Sequence, residues 1–262
     1  MIVKFYSLSS SSQGNSYYLQ SGDSALLIDA GISAKKIENT LAQNNADIAK
    51  LCGILLTHEH IDHMRSVSIL TKRYNLPIFA TKGTWQALEQ TNCVIPIHLR
   101  QVLDDYNNLA LGGFSVKWQN TMHDCLNPVF FSITDGEKKF GLITDTGVLN
   151  SQMTEMLYDS NILIAEANHD VKMLKMGSYP FKVKQRILSD HGHLSNEDCA
   201  QGLLKMIGSH TKHIMLAHLS QHNNTPLLAY KTVKHILEEN RSSEDYALWV
   251  ARADGCSSIL EV

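Results

Sequence analysis

Short apolar runs broken by polar turns dominate the chain, and their period decides what each one forms. Residues 2–8, 16–20 and 25–30 read as successive strands, with turn chemistry at Gln13-Gly14-Asn15 and Ser21-Gly22-Asp23, so the pattern predicts an opening antiparallel sheet. Ser33 then caps a predicted helix to Leu41, residues 53–57 return as a buried strand, and 64–73 carry helical periodicity. A strand at 77–80 and a helix at 84–90 continue the alternation. A strand-rich stretch follows at 97–102, 114–120, 129–134 and 139–144, with Asp135-Gly136 as a hairpin signal between the last two. The remainder alternates: helix 151–157, strand 162–166, a histidine-bearing loop, helices 181–187 and 196–207, strand 213–217, helix 226–238 and strand 247–251. Strands and helices mixed in both halves predict an α/β fold, two sheets packed face to face and covered by helices. No Pro/Gly/Ser-rich spacer, charge block or low-complexity tract divides residues 1–262, which predicts a single domain.

One of these apolar runs ends in unusual chemistry. Ile54-Leu55-Leu56-Thr57 is followed at once by His58-Glu59-His60-Ile61-Asp62-His63. On extended backbone His58 and His60 project to the same side, while Asp62 and His63 follow as the chain turns toward the next helix. A lone histidine in a polar turn reads as solvated. Three histidines and a carboxylate in this register read instead as ligands, and one short loop can serve two adjacent cations. A dinuclear site needs roughly four to six ligands per metal, some shared and some water, so more must come from elsewhere. Asp29, His123, Asp145, Glu166 and His218 each fall just after or at the end of an apolar strand, where side chains from distant segments meet without being buried unpaired.

The order His58-x-His60-x-Asp62-His63, then His123, Asp145 and His218, resembles the metal-binding motifs of the metallo-β-lactamase superfamily over essentially the whole chain. The resemblance implies an αββα sandwich with two divalent cations. One would be held by His58, His60 and His123, the other by Asp62, His63 and His218, with Asp145 bridging and Asp29 supporting from behind. Finer phrases resemble the WalJ/YycJ (VicX) branch: Ser11-Ser12-Gln13-Gly14-Asn15-Ser16, Glu166-Ala167-Asn168-His169-Asp170, Gly177-Ser178-Tyr179-Pro180, Asp190-His191-Gly192-His193-Leu194-Ser195-Asn196 and Ser220-Gln221-His222-Asn223-Asn224-Thr225-Pro226. That resemblance implies a phosphodiesterase, a DNA exonuclease acting from the 5′ end of duplex DNA, with His193 as catalytic acid or as partner of a phosphate oxygen and Asp62 beside it in the catalytic set. His222 departs from the pattern, which has an acidic residue there.

Composition narrows the picture in three ways. The formal charge of -3 over 262 residues gives no broad positive field, so an anionic polymer must be gripped locally. The candidate stretch holds Lys172, Lys175, Lys182, Lys184 and Arg186, interleaved with Tyr179 and Phe181; a solvated helix face explains the same charges, and His169 and His191 are either substrate-facing or supports of a ligand. Five scattered cysteines without C-x-x-C spacing argue against disulfides or a thiolate site. Nitrogen and carboxylate ligands suit zinc or manganese, and iron as well. The start lacks a basic-then-apolar signal and no run approaches the ~20 residues of a membrane span, which predicts a cytoplasmic protein with no membrane partner. Two rival readings remain: a small-substrate cyclic phosphodiesterase with the same metal site, and a non-enzymatic, metal-stabilised regulatory module. Oligomeric state is not legible.

Overall fold

A computed structural model describes residues 2–104, 107–241, 245–257 and 259–262. The elements run β1 (Val3–Ser9), β2 (Ser16–Ser21), β3 (Ser24–Ile28), α1 (Ala34–Gln43), β4 (Leu51–Leu55), α2 (Ile61–Met64), α3 (Val67–Tyr74), β5 (Ile78–Thr81), α4 (Lys82–Glu89), β6 (Arg100–Leu103), β7 (Asn108–Leu111) and β8 (Phe114–Asn120). They continue with β9 (Val129–Thr134), β10 (Lys139–Ile143), α5 (Ser151–Leu157), β11 (Ile162–Glu166), α6 (Val171–Met176), α7 (Phe181–Ile187), α8 (Asn196–Met206), β12 (His213–Ala217), α9 (Pro226–Asn240), β13 (Ala247–Val250) and β14 (Leu260–Glu261). The strands form two seven-stranded sheets, ordered β14-β1-β2-β3-β4-β5-β6 and β13-β12-β11-β10-β9-β8-β7. Both are mixed. β1, β2 and β3 pair antiparallel and β3 to β6 parallel, while β10 to β13 are parallel and β9 joins β10 antiparallel. The predicted fold class, two mixed sheets flanked by helices, is the observed one.

By internal contacts the chain resolves into two compact units: Met1–Asn120 with Cys125–Val129 and Arg252–Val262, and Thr121–Asp124 with Phe130–Ala251. The first unit has a core in which Leu27, Ile37, Ile54, Val67, Leu70 and Ile78 are all fully buried. The second is built on Ile143, Leu163, Leu203, Ile214, Leu216 and Val233, equally buried. Parallel strands covered on both faces read as continuous apolar runs, and Ile162–Glu166 is buried at every position. Helix starts follow their caps: side-chain oxygens of Ser33, Asn150, Asp170, Ser195 and Thr225 each accept an N–H in the first turn that follows.

Three predicted spans shift, for identifiable reasons. The helix expected over 64–73 is interrupted, Met64 closing α2 and α3 beginning at Val67, because residues 62–66 are drawn onto residues 15 and 30–32. Asn15 N–H donates to Asp62 O (2.7 Å), Ala30 N–H to His63 O (2.7 Å) and Ser66 N–H to Ala30 O (2.8 Å). Gly31 makes that approach possible, since a Cβ there would lie 1.6 Å from the Asp62 carbonyl oxygen. The strand expected over 97–102 starts with a 3-10 turn at Ile97–Leu99 before β6. Within the loop expected after Glu166, the Asp170 cap starts the short helix α6, which apolar periodicity over six residues is too brief to announce. Among the described residues no helix is long and apolar enough to cross a membrane.

Candidate metal centre

In the first unit the histidine-rich hexapeptide leaves the carboxyl end of β4. His58 and His63 are buried, His60 and Asp62 partly so. The His58 ring centroid lies 4.6 Å from that of His60 and 4.1 Å from that of His63, so the loop gathers all three imidazoles. Beneath them lies Asp29, fully buried at the end of β3. Its Oδ2 accepts from His63 Nδ1 (2.7 Å) and from the Thr57 hydroxyl (2.9 Å), and its Oδ1 accepts from Thr57 N–H (2.9 Å). Because the Thr57 hydroxyl hydrogen is committed to Asp29, its lone pair takes the Nδ1–H of His58 at 3.0 Å. Both rings are thereby fixed as Nδ1–H tautomers with Nε2 as the basic nitrogen, the state a metal ligand requires. Asn15 reinforces the arrangement, approaching His63 Nε2 at 3.1 Å and Asp62 Oδ2 at 3.3 Å.

In the second unit the donors come from separate strand ends. Asp145 follows β10, Glu166 ends β11, His218 follows β12, and His193 precedes α8. One ligand atom from each of these four lies within 4.8 Å of the others. Glu166 is fully buried and organises the set. Its Oε1 accepts from His193 Nδ1 and from His218 Nδ1, both at 2.8 Å, and its Oε2 accepts the backbone N–H groups of Thr146 (3.2 Å) and Leu194 (3.1 Å). Burial alone would raise this carboxyl's pKa, but the charges and hydrogen bonds of His193 and His218 outweigh it and hold Glu166 below the usual carboxylate range. His123 donates Nδ1–H to the Gly192 carbonyl at 3.1 Å, and its Nε2 lies 3.6 Å from Asp145 Oδ1. Burial lowers the pKa of His123, against the opposing pull of Asp145.

Backbone geometry re-aims these side chains. Of the seven non-glycine residues with left-handed φ among the described residues, six are Asn or Asp, which tolerate that region; the seventh is His218, at φ 55°. Asp29 (58°) and Asp145 (57°) share the conformation at equivalent strand ends. Each such residue costs on the order of 1–3 kcal/mol and persists only where surrounding contacts impose it. For His218 they are visible: Asn168 Nδ2 donates to the His218 carbonyl (2.9 Å), and Asn224 Nδ2 bonds the carbonyls of Ala167 (3.0 Å) and Asn168 (3.2 Å) and Asn196 Oδ1 (2.8 Å).

The other expected site residues fall outside these sets. His169 is buried at 1 % exposure with neither ring nitrogen hydrogen-bonded, and burial pushes its pKa down to about 4. His191 is exposed in the turn before Gly192. Lys182, Lys184 and Arg186 all lie on α7; Lys184 Nζ bonds the Lys175 carbonyl at 2.8 Å and Arg186 pairs with Asp124. His222 packs edge-on to Tyr179, ring centroids 5.8 Å apart. Thr57 and Asn15 carry support roles that no spacing rule announces, and Glu166 was visible as a strand-end carboxylate without its double task being legible.

Imidazole and carboxylate donors, buried, with Nδ1 of His58, His63, His123 and His218 engaged from behind, are a donor set that fits divalent transition metal, and no cysteine enters it among the described residues. These buried clusters are consistent with a binuclear centre. The family model of the beta-lactamase superfamily domain matches residues 25–241, and the chain belongs to the metallo-β-lactamase superfamily; with the buried donor clusters and its exodeoxyribonuclease relatives, it is a metal-dependent hydrolase. It is 39% identical over 239 residues to exodeoxyribonuclease YycJ of Bacillus anthracis, covering 91% of this chain and 90% of that one. To exodeoxyribonuclease WalJ of Streptococcus pneumoniae it is 39% identical over 238 residues, 90% and 88% of the two chains. In fold it is similar to the metallo-beta-lactamase fold protein YhfI from Bacillus subtilis, with a TM-score of 0.73 and 16% identity over the full length of both.

Proposed function

We propose that this protein is a metal-dependent exodeoxyribonuclease that hydrolyses phosphodiester bonds of duplex DNA from the 5′ end. The observation that carries the reading is Glu166 binding His193 and His218 through one oxygen, because it ties a metal-holding imidazole to one able to deliver a proton. The names and 39% identity of the two exodeoxyribonucleases support the substrate class. His58, His60 and His123 would hold one cation and Asp62, His63 and His218 the other, with Asp145 shared, and zinc or manganese would occupy both. The chemistry supplied by such cations is neutralisation of the phosphoryl oxygens and acidification of water, so that hydroxide is available at neutral pH.

The remaining work falls to the chain's own groups. Asp29 and Glu166 hold the His63 and His218 imidazoles in the ligating tautomer. His193, 14% exposed at its side chain and held through Nδ1, presents Nε2 to the departing oxygen and hands it a proton. Asp62 lies in the same loop as the histidines and orients the attacking water.

A single panel of substrates tests the proposal against the cyclic phosphodiesterase alternative. Metal-loaded protein is given labelled duplex DNA, single-stranded DNA, RNA and a ribose cyclic phosphate. Progressive release of nucleotides from the 5′ end of the duplex is expected; turnover confined to the cyclic phosphate would refute it.

A further inference from the structure

Met176 and Phe181 are the conspicuous misfits of the second unit's surface. Met176 ends α6 at 87% exposure and Phe181 opens α7 at 72%. Large apolar side chains stand that far into water at a cost, and these two are separated only by Gly177-Ser178-Tyr179-Pro180. They do not hang on loose chain. Asp170 caps α6 by accepting Met173 N–H at 2.7 Å, Gly177 N–H returns to Met173 O at 2.7 Å, and Val183 N–H bonds Pro180 O at 2.9 Å. The far end of α7 is joined to the proton-donor loop, where His193 N–H donates to Ile187 O at 3.0 Å. Gly192 is required for that junction, since a Cβ there would lie 2.2 Å from the same carbonyl oxygen.

Charge identifies what covers this pair. Residues 171–188 carry five Lys or Arg and no acidic residue, so the rest of the chain is left with -8, the whole being -3 with this stretch at +5. A local cationic strip on an otherwise acidic molecule takes up phosphates. Apolar tips within such a strip need an apolar surface on the same polyanion. An intact duplex offers its broadest flat apolar surface on the outer face of its terminal base pair, since every interior base is covered above and below by its neighbours. Aromatic side chains stack on such a face irrespective of sequence.

We propose that Met176 and Phe181 cap the exposed face of the terminal base pair of a DNA duplex while the exposed Lys172, Lys175 and Lys182 hold its backbone, so that this segment selects ends over interior sites. The inference rests on the exodeoxyribonuclease reading and gives it a structural basis for end preference.

The test uses the metal-loaded, full-length protein and blunt duplexes protected by phosphorothioate linkages. 2-Aminopurine is placed either at the terminal position or well inside the duplex. Wild-type protein is expected to change the terminal probe's emission several-fold and to leave the internal probe unchanged. In M176A/F181A the terminal response disappears and KM for unprotected blunt duplex rises roughly tenfold, the scale of one lost stacking contact. Turnover of bis(4-nitrophenyl) phosphate stays at the wild-type level, which reports an intact centre. F181W retains the terminal response, an outcome a merely structural role would not produce. Wild-type KM in M176A/F181A, or equal responses from the two probes, overturns the proposal. So does sedimentation in which the double substitution turns a dimer into a monomer without altering KM, since the face would then join copies of this chain. A wild type that degrades no DNA fails earlier, before any variant is compared, and refutes the underlying reading instead.

Discussion

The two units supply their candidate donors by opposite architectures. The first draws its donors from one loop of six residues after β4 and steadies them with a single carboxylate, Asp29, which serves one imidazole and one threonine. The second collects Asp145, Glu166, His193 and His218 from four separate segments, and its buried carboxylate, Glu166, serves two imidazoles at once. The difference teaches that two buried acids of like burial need not have like roles. Asp29 keeps a ligand in its tautomer. Glu166 does so too, and also positions His193, the proposed proton donor.

That contrast sets the largest expected effect. Glu166→Ala strips both imidazoles of their acceptor, and we expect hydrolysis of duplex DNA to fall on the order of 10³-fold or more even with metal in excess, combining lost orientation with lost proton transfer. Asp29→Ala is expected to weaken metal affinity by about 10–100-fold while excess metal restores most of the turnover. Steady-state kinetics across a metal titration separates the two. If saturating metal rescued both variants equally, the distinction between the carboxylates would be broken.

A smaller effect follows from pH in the metal-free protein. His123 and His169, two histidines whose pKa burial pushes down, both belong to the second unit. A group with a lowered folded pKa favours the neutral form, so its contribution is whole above the unfolded value near 6.5 and is lost as pH falls toward the folded one. For His169, at about 4, the loss amounts to about 2 kcal/mol by pH 5. Amide exchange around His169 should therefore rise on acidification, and His169→Gln should blunt the response. Exchange there that is indifferent to pH between about 7 and 5, or unchanged by the substitution, would contradict this.

Legibility in the sequence followed the same divide. The hexapeptide was readable because its candidate ligands are contiguous and its register on extended backbone is fixed. Asp145 and His218 were readable only as strand-end residues, since nothing in spacing says that parallel strands β10 and β12 flank β11. The double bond of Glu166 depends on where two loops return, and the support given by Asn15 depends on Gly31 admitting the Asp62 backbone. Asn168, Asn196 and Asn224, met in the sequence as parts of longer phrases, hold the turn that keeps His218 left-handed. Most strands and the long helices were placed by periodicity, but the short edge strands β7 and β14 were not read, and α6 and the late start of α3 were set by one cap and by tertiary hydrogen bonds. Nor does composition mark the two units, because the chain crosses between them at 120/121, 124/125, 129/130 and 251/252 without a Gly/Pro/Ser-rich stretch.

The most direct test is metal content per chain, by elemental analysis of protein stripped with chelator and reloaded with zinc or manganese. The account predicts about two equivalents for the wild type and clear loss in Asp145→Ala, with DNA hydrolysis falling in step. A wild type that takes up no metal, or an Asp145→Ala protein that retains both ions and full activity, would contradict it.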